Sequence, residues 1–468
     1  MGTGPVEGHE SVPFAAEFWA ALGGSDALLP GLRVTGIGDL PSAFRVSALA
    51  AASIGVAGLA ATELAALVGG AEPRVSVNRL LASAWFGSAV RPAGWSVPPV
   101  WDPFTRNYRA ARGGWVRLHT NAAPHRAAAL RVLGADDSSD PADVRRLVGR
   151  WDAFELEEAV VAAGGVSAAM RTRKEWRAHP QGVAVASEPL LHRDAGSAGA
   201  VGEHWRPTVE RPLAGLRVLD LTRVLAGPVA TRFLAGLGAD VLRVDPPDWD
   251  EPAIVPNMTL GKRTARLDAR TPDGREQLAR LLSEADVLVH GYRDGALDGL
   301  GLDAETRQRL RPGLVEASLT AFGFSGPWRQ RRGFDSVVQM ASGISHRGMV
   351  ATWEERPQQL PVQALDHATG YLLAASVLRG VVELVRDGAG SSTRTSLARV
   401  AEALVSGGDQ PTDGVFDQWN GPCTMIGTQW GAAELLPPPA RFDEINFGFE
   451  RIPKPLGSDA AEWGSPAA

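Results

Sequence analysis

The second half of this chain predicts an α/β fold: an open parallel sheet flanked by helices. Short apolar runs recur there, LRVLDLT (216–222), ADVLRVD (239–245), DVLVHGY (286–292) and LVEASLTAFG (314–323). Stretches of about ten residues with helical spacing of apolar side chains lie around them, VATRFLAGLG (229–238), REQLARLLSEA (275–285) and AETRQRLRPG (304–313). The strand runs are apolar nearly throughout instead of alternating, which is the pattern of strands covered on both faces.

The totals agree with a soluble multidomain protein. At 468 residues the chain exceeds one ordinary domain, so two or three are expected. A net charge of −6 with no long basic run argues against a nucleic-acid partner. The single cysteine, Cys423, permits no disulfide framework and no cysteine metal cluster, which fits a reducing cytoplasm. Glu7, Glu10 and Glu17 with no basic segment before them are unlike a secretory signal. The most apolar run, residues 47–62, is uncharged, rich in Ala and Gly, and shorter than the ~18–20 residues of a membrane span, so a buried helix and no membrane partner are expected.

Taken in order, EFWAAL (17–22) reads as a helical turn, and a long helix runs from Pro41 to a break at Gly69-Gly70. Residues 91–110, rich in Pro and Trp, read as a loop, and GWVRLHT (114–120) as a strand. Helices follow at 123–134, opened by Pro124 and closed by Gly134, and at 140–151 and 153–165. Residues 203–215 have linker composition. The expected units are therefore a half with a long Ala-rich helix (1–90), a small α+β domain and return segment (91–200), the sheet domain (208–406) and an extended wrapping tail (407–468).

Residues 41–84 resemble residues 361–404 at a constant offset of 320. Pro41 meets Pro361, Glu63-Leu64 meets Glu383-Leu384, Gly70 meets Gly390, and Arg74, Ser76 and Arg79 meet Arg394, Ser396 and Arg399. The same offset carries Phe14, Ala21 and Gly23 onto Phe334, Ala341 and Gly343. An internal duplication is the expectation. Asp335 then falls opposite Ala15 and Asp366 opposite Val46, so the first copy is degenerate.

Ligands of open parallel sheets sit beyond the carboxyl ends of the strands, here 222–228, 245–247, 290–293 and 320–324. Asp335 follows the Gly/Pro-rich exit FGFSGP and opens the helix-like run DSVVQM. It is either a carboxylate placed near helix-end dipole for chemistry or an ordinary N-cap. In the turn VLAGP (224–228), Gly227 permits close backbone approach and Pro228 suits a first helical turn, but this is no GxGxxG fingerprint. Lys262-Arg263 is either a phosphate-binding pair or a solvated one. Asp366 and His367 stand near a helix start. His119 and His125 are split between a strand and a helix start with no third ligand, so they read as structural and no metal site is expected. The Trp and Phe residues of 85–104 read as core or lid.

The runs PLAGLRVLDLTRVLAGPVATRFLAGLGADVLRVD (212–245), GKRTARLD (261–268), ADVLVHGYRDGALDGLGL (285–302), LTAFGFSGPWRQRRGFDSVVQMASG (319–343) and ALDHATGYLLAASVL (364–378) resemble the family III CoA transferases, the group of formyl-CoA transferase and the carnitine CoA-transferases. Residues 114–195 resemble the family's small domain more weakly. The resemblance implies a Rossmann-like CoA-binding domain with long crossing helices. Asp335 in Gly333-Phe334-Asp335 would be the nucleophile that takes CoA from an acyl-CoA to a small carboxylic acid through an aspartyl anhydride and an aspartyl-CoA thioester. CoA would be a substrate, with no tightly bound cofactor, contacted at Val224, Leu225, Ala226, Gly227, Lys262, Arg263, Tyr292 and Arg293, with Asp366 as a second acid. Family members form interlocked dimers, so a homodimer or a pseudo-dimeric monomer is expected.

Several positions depart from the family pattern. Gly261 stands where the family has Asn, Pro246 follows Asp245, and Gly291-Tyr292 replaces Asn-Phe. There is no glycine-rich shielding loop, and a small-domain-like stretch precedes the sheet domain. Two other functions are compatible with the residues: an α-methylacyl-CoA racemase, against which Phe334 counts because such racemases carry His there, and a non-catalytic CoA-binding subunit.

Overall fold

The computed structural model describes residues 12–410, 412 and 419–464; Glu7, Glu10 and the remainder of the tail lie outside them. Seven strands form the main sheet in the order Arg263–Arg266, Asp240–Asp245, Arg217–Leu221, Val287–His290, Val315–Thr320, Ala389–Ser396 and His192–Ala198. The first six run parallel and the last is antiparallel. The four apolar runs are its central strands. Three further strands had no strand signal: RTAR at one edge, and AGSSTRTS and HRDAGSA toward the other. RTAR and HRDAGSA are edge strands, whereas AGSSTRTS is an interior strand whose Ser391, Thr393, Thr395 and Ser396 are buried. The chain order reverses between Arg217–Leu221 and Val287–His290, which opens a crevice at their carboxyl ends.

Helix Ala226–Gly236 covers one face. It starts three residues before the predicted 229, because Ala226-Gly227-Pro228 already form its first turn. Helix Ala364–Asp387 packs on it closely. A Cβ added at Gly370 would lie 2.4 Å from the Ala226 carbonyl oxygen, so this glycine fixes the approach. Against the same long helix lies Val46–Leu67, which is buried on every side from Val46 to Ala65. An all-round apolar helix belongs in a core, and both helices, though long and apolar enough to cross a membrane, are enclosed by protein. Their contact also holds a buried ion pair, Arg379 to Glu63.

Phe18, Trp19, Ile54 and Leu59 share one continuous core with Val229, Phe233, Val338 and Leu372, so residues 12–90 have no core separate from the sheet domain. The small α+β unit does have its own, around Phe104, Tyr108, Val116, Val144 and Leu156. Its antiparallel sheet joins Arg106–Arg109, Trp115–Leu118 and Ser167–Ala169. The first of these strands falls where a loop was expected.

The offset of 320 recurs in the elements. Helix Ala15–Ala21 corresponds to Asp335–Ala341 end to end, with Phe14 and Phe334 before them and left-handed Gly23 and Gly343 after them. Val46–Leu67 falls within Ala364–Asp387. Strand Val75–Asn78 lies between Leu32–Thr35, parallel, and Ala440–Phe442, antiparallel. Ala389–Ser396 likewise lies between Val315–Thr320, parallel, and His192–Ala198, antiparallel. The tail is more than an extended wrap. It adds three strands, then runs along the sheet edge, where Thr264 Oγ1 donates to the Pro455 carbonyl at 2.8 Å.

Candidate active site at Asp335 and the strand ends

Asp335 is the first residue of helix Asp335–Ala341 and has no exposed surface. Its carboxylate makes no capping bond to its own helix. Oδ2 instead accepts from the Leu365 and Asp366 backbone N–H groups, at 2.9 and 3.0 Å, and Oδ1 accepts from the Gln339 side-chain amide. Those two amides belong to the first turn of Ala364–Asp387, where N–H groups lack intrahelical partners. The positive ends of two helices thus converge on one carboxylate. Gln339 is fixed in turn, its Oε1 accepting from the Leu360 N–H at 2.7 Å.

Burial pushes the Asp335 carboxyl up to about 6, while the hydrogen bonds and the nearby Arg117 guanidinium pull it back. Asp366 is raised well above the usual carboxylate range by burial and by the charge of Asp335, and it has no such set of donors. At neutral pH the pair therefore keeps its proton on Asp366 and its charge on Asp335. The second acid touches the first through its backbone N–H.

The small domain brings residues that sequence reasoning missed. Arg117, on the strand Trp115–Leu118, donates from Nε to Ser336 Oγ at 2.8 Å and from Nη1 to Asn107 Oδ1 at 3.0 Å. Trp101 covers its guanidinium at 5.0 Å. The His119 ring stacks on Phe334 at 4.0 Å between centroids, and His125 meets the same ring edge-on at 5.9 Å. Both histidines, read as structural from the sequence, thus stand beside the Gly-Phe-Asp motif. Burial, and then neighbouring cations, push His125 down to about 4 and His119 well below the usual imidazole range, so both are neutral. The available signal was the alternation of Arg117 and His119 in GWVRLHT, which sets both on one face. His367 packs on Phe86 in the core, with Trp85 and Phe104 also buried. Gln359 donates to the Ser336 carbonyl at 3.0 Å.

The VLAGP turn is held under strain. Val224 has φ 65°, a left-handed conformation unfavourable to a β-branched residue. Its N–H donates to Glu251 Oε2 at 2.9 Å, and Glu251 is itself anchored by Arg243 and Trp249. From below, buried Asp220 accepts from Thr222 and Thr231. Gly227 is required internally, since a Cβ there would lie 2.2 Å from the Thr222 side chain. Ala226 and Gly227 are buried, whereas Val224 and Leu225 are half-buried. Beside the turn, the Arg223 guanidinium lies over Trp249 at 4.9 Å and Tyr292 at 5.7 Å, with Arg293 exposed next to them. This cationic and aromatic group stands at the ends of three adjacent strands; Arg223 and Trp249 carried no sequence motif.

Lys262 and Arg263 are not at a pocket mouth. Lys262 is fully buried, its Nζ 3.1 Å from Asp220 Oδ2 and 2.9 Å from the Pro228 carbonyl, and burial pushes its ammonium down to about 8. Arg263 is engaged by Asp240 at 2.8 Å and by the Glu462 carbonyl at 2.6 Å. A buried acid on a central strand needs a counter-charge, and Lys262 supplies it. Among the described residues, no group of three His, Cys, Asp or Glu side chains is placed to hold a metal. Replacing Lys262 with Met removes the ammonium bonded to buried Asp220, so Lys262→Met is expected to lower stability by about 3–5 kcal/mol. Thermal unfolding checks this; an unchanged melting temperature combined with weaker CoA binding would mean the ammonium faces a ligand.

Residues 213–409 match the profile of CoA-transferase family III. Among known proteins, a probable fatty acyl-CoA transferase of Mycobacterium tuberculosis, Rv3272, is 35% identical over 42% of this chain and 52% of its own length. An acyl-CoA transferase of Gibberella moniliformis is 30% identical over 63% of this chain and 55% of its own. Human succinyl-CoA:glutarate CoA-transferase is 32% identical over 38% of this chain and 44% of its own. The chain thus spans about half the length of these relatives. A crystal structure of Rv3272 superposes with TM-score 0.39 at 34% identity, over 43% of this chain and 57% of that one. The segment 213–409, which contains both Asp335 and the VLAGP turn, belongs to CoA-transferase family III.

Proposed function

We propose that this protein is a CoA-transferase that moves CoA from an acyl-CoA to a carboxylic acid, with Asp335 as nucleophile. The observation that supports this most is a buried carboxylate bonded to amides of a second helix, within a segment of this family. An Asp335 oxygen attacks the thioester carbonyl, and CoA leaves as thiolate, giving a mixed anhydride. The thiolate then attacks the aspartyl carbonyl, releasing the donor acid and leaving an aspartyl-CoA thioester. The acceptor carboxylate attacks that thioester and again expels CoA thiolate. The thiolate closes the cycle on the acceptor's carbonyl, regenerating Asp335. Every intermediate conserves the acyl activation, so no net proton or electron is exchanged. The amides of Leu365 and Asp366 fix the nucleophile's orientation, and the Rossmann-like crevice with Arg223, Trp249, Tyr292 and Arg293 suits the phosphates and adenine of CoA. Human succinyl-CoA:glutarate CoA-transferase, among the relatives, is named for this type of transfer.

A racemase needs an acid and a base flanking one α-carbon. His119 and His125 stack on Phe334 and make no bond to Asp335, so that reading is weaker.

Asp335→Asn is expected to reduce CoA transfer by roughly a thousandfold or more, since the anhydride cannot form. Because the folded carboxyl is raised above its unfolded value, its stability contribution is present in acid and is lost as pH rises through about 6. The Asn variant should therefore melt at or above the wild-type temperature at pH 7. Single-turnover attack on an acyl-CoA should rise with pH through about 6 and then level; a flat profile from pH 5 to 7 contradicts an attacking Asp335 carboxylate.

We infer further that residues 12–90 and the segment around 333–405 derive from one duplicated unit, so one chain holds the bracing that family dimers take from a partner. Light scattering should then give the mass of one chain, 49.4 kDa, and a dimer mass would count against it.

A further inference from the structure

A cleft of about 1560 Å³ lies in the first half of the chain, beside strand Leu32–Thr35 and the start of helix Val46–Leu67. It shares no residue with the Asp335 site or with the strand-end crevice. Its volume exceeds the ~300–1,000 Å³ of ordinary small-molecule pockets, so there is room for a ligand. Strand Leu32–Thr35 is the open edge of its three-stranded sheet, and Arg33 stands exposed on it.

Four arginines line the cleft. Two are occupied: Arg74 by Glu72 at 3.0 Å and Arg79 by Asp39. Arg33 and Arg45 make no ion pair and no side-chain hydrogen bond among the described residues, and the remaining acid of the lining, Asp443, is bonded to neither. Arg45 is half-buried, and its Nε is buried without a partner. Other arginines with an unpartnered Nε, such as Arg173 and Arg379, bond a carboxylate through their terminal nitrogens, Arg173 to Glu402 and Arg379 to Glu63. Arg45 does not. Unpaired buried donors are uncommon, and a guanidinium with none of its donors used is a vacancy for oxygen acceptors.

Arg45 is also the N-cap of a 22-residue helix. The Val46 N–H turns back to the Phe44 carbonyl, and the Leu49 N–H bonds to the Arg45 carbonyl. The Ala48 N–H, in the first turn beside the cleft, has no acceptor among the described residues. Such a helix end carries partial positive charge. The counterpart helix at the offset of 320, Ala364–Asp387, uses its first-turn amides to hold the Asp335 carboxylate. Ala15 stands at the position corresponding to Asp335, so the earlier helix end receives no carboxylate from there.

We propose that this cleft binds a small anion carrying carboxylate or phosphate groups, held by the Arg45 guanidinium and the first turn of helix Val46–Leu67, with Arg33 adding positive charge from the exposed strand. A guanidinium fork matches the paired oxygens of either group, and helix-end amides donate to both. No bond is made or broken at the site, and the inference does not depend on the transferase reading.

The test is calorimetric titration of the full chain at low ionic strength, with CoA present in excess. One arm uses pyrophosphate and the other citrate, so the responding probe distinguishes phosphate from carboxylate. Saturable binding of at least one is expected, weakening as salt is raised. Arg45→Gln should weaken it by about tenfold or more, as befits lost charge-assisted hydrogen bonds. Arg45→Lys should keep part of the affinity, and Arg33→Gln should lower it about two- to fivefold, the range of an exposed charge. Arg33→Gln lies on an exposed edge and carries the test if the Arg45 variants do not fold. No saturable binding of either probe up to millimolar concentration, or equal binding by the wild type and the Gln variants, overturns the inference.

Discussion

A carboxylate with no exposed surface must be solvated by the protein, and for Asp335 the solvent is the first turn of helix Ala364–Asp387. Burying an ion costs several kcal/mol unless fixed donors replace water, and hydrogen bonds to a charged group return about 1.5–3 kcal/mol each. Three donors around Asp335 and none around the Asp366 carboxylate account for which of the two keeps the charge. The arrangement holds only while the long helix keeps its position. That position is set by the contact at Gly370 with the VLAGP helix and by packing against Val46–Leu67. Asp335, the strand-end crevice and residues 12–90 therefore share one packed core.

The relation between the two halves follows from the same constraint. Where Asp335 stands in one, Ala15 stands in the other, and Val46 replaces Asp366. The segment 12–90 carries helices at the matching offset and a strand between parallel and antiparallel neighbours. Its apolar helix and the Glu63–Arg379 pair brace the active copy, and the shared core leaves no plane along which the halves could separate.

Much of this could be read from the residues. Apolar runs gave the central strands and the Ala-rich pattern gave the helix that begins at Val46, whereas the matching helix Ala364–Asp387 was indicated only by the repeat and the family resemblance. Asp335 and VLAGP stood out because a turn, a glycine and a helix start coincide there, but only the family resemblance set Asp335 apart from an ordinary N-cap. What was missed depends on partners far along the chain. Lys262 is a buried counter-ion because Asp220 lies 42 residues earlier, and nothing local to GKRTARLD shows it. Arg117, His119 and His125 acquire their meaning from a unit with its own core that abuts Phe334. The polar strands lack the apolar signal, and two of the tail's strands pair with the distant Val90–Pro92 and Val75–Asn78.

The most direct test of a nucleophilic Asp335 is an intact-mass spectrum of the protein mixed with a panel of acyl-CoAs, followed by peptide mapping with and without hydroxylamine. Covalent catalysis predicts a CoA-sized adduct on the peptide containing Gly333-Phe334-Asp335, removed by hydroxylamine to leave a hydroxamate at Asp335. A protein that binds and turns over acyl-CoA with no adduct, or with the adduct on another residue, contradicts it.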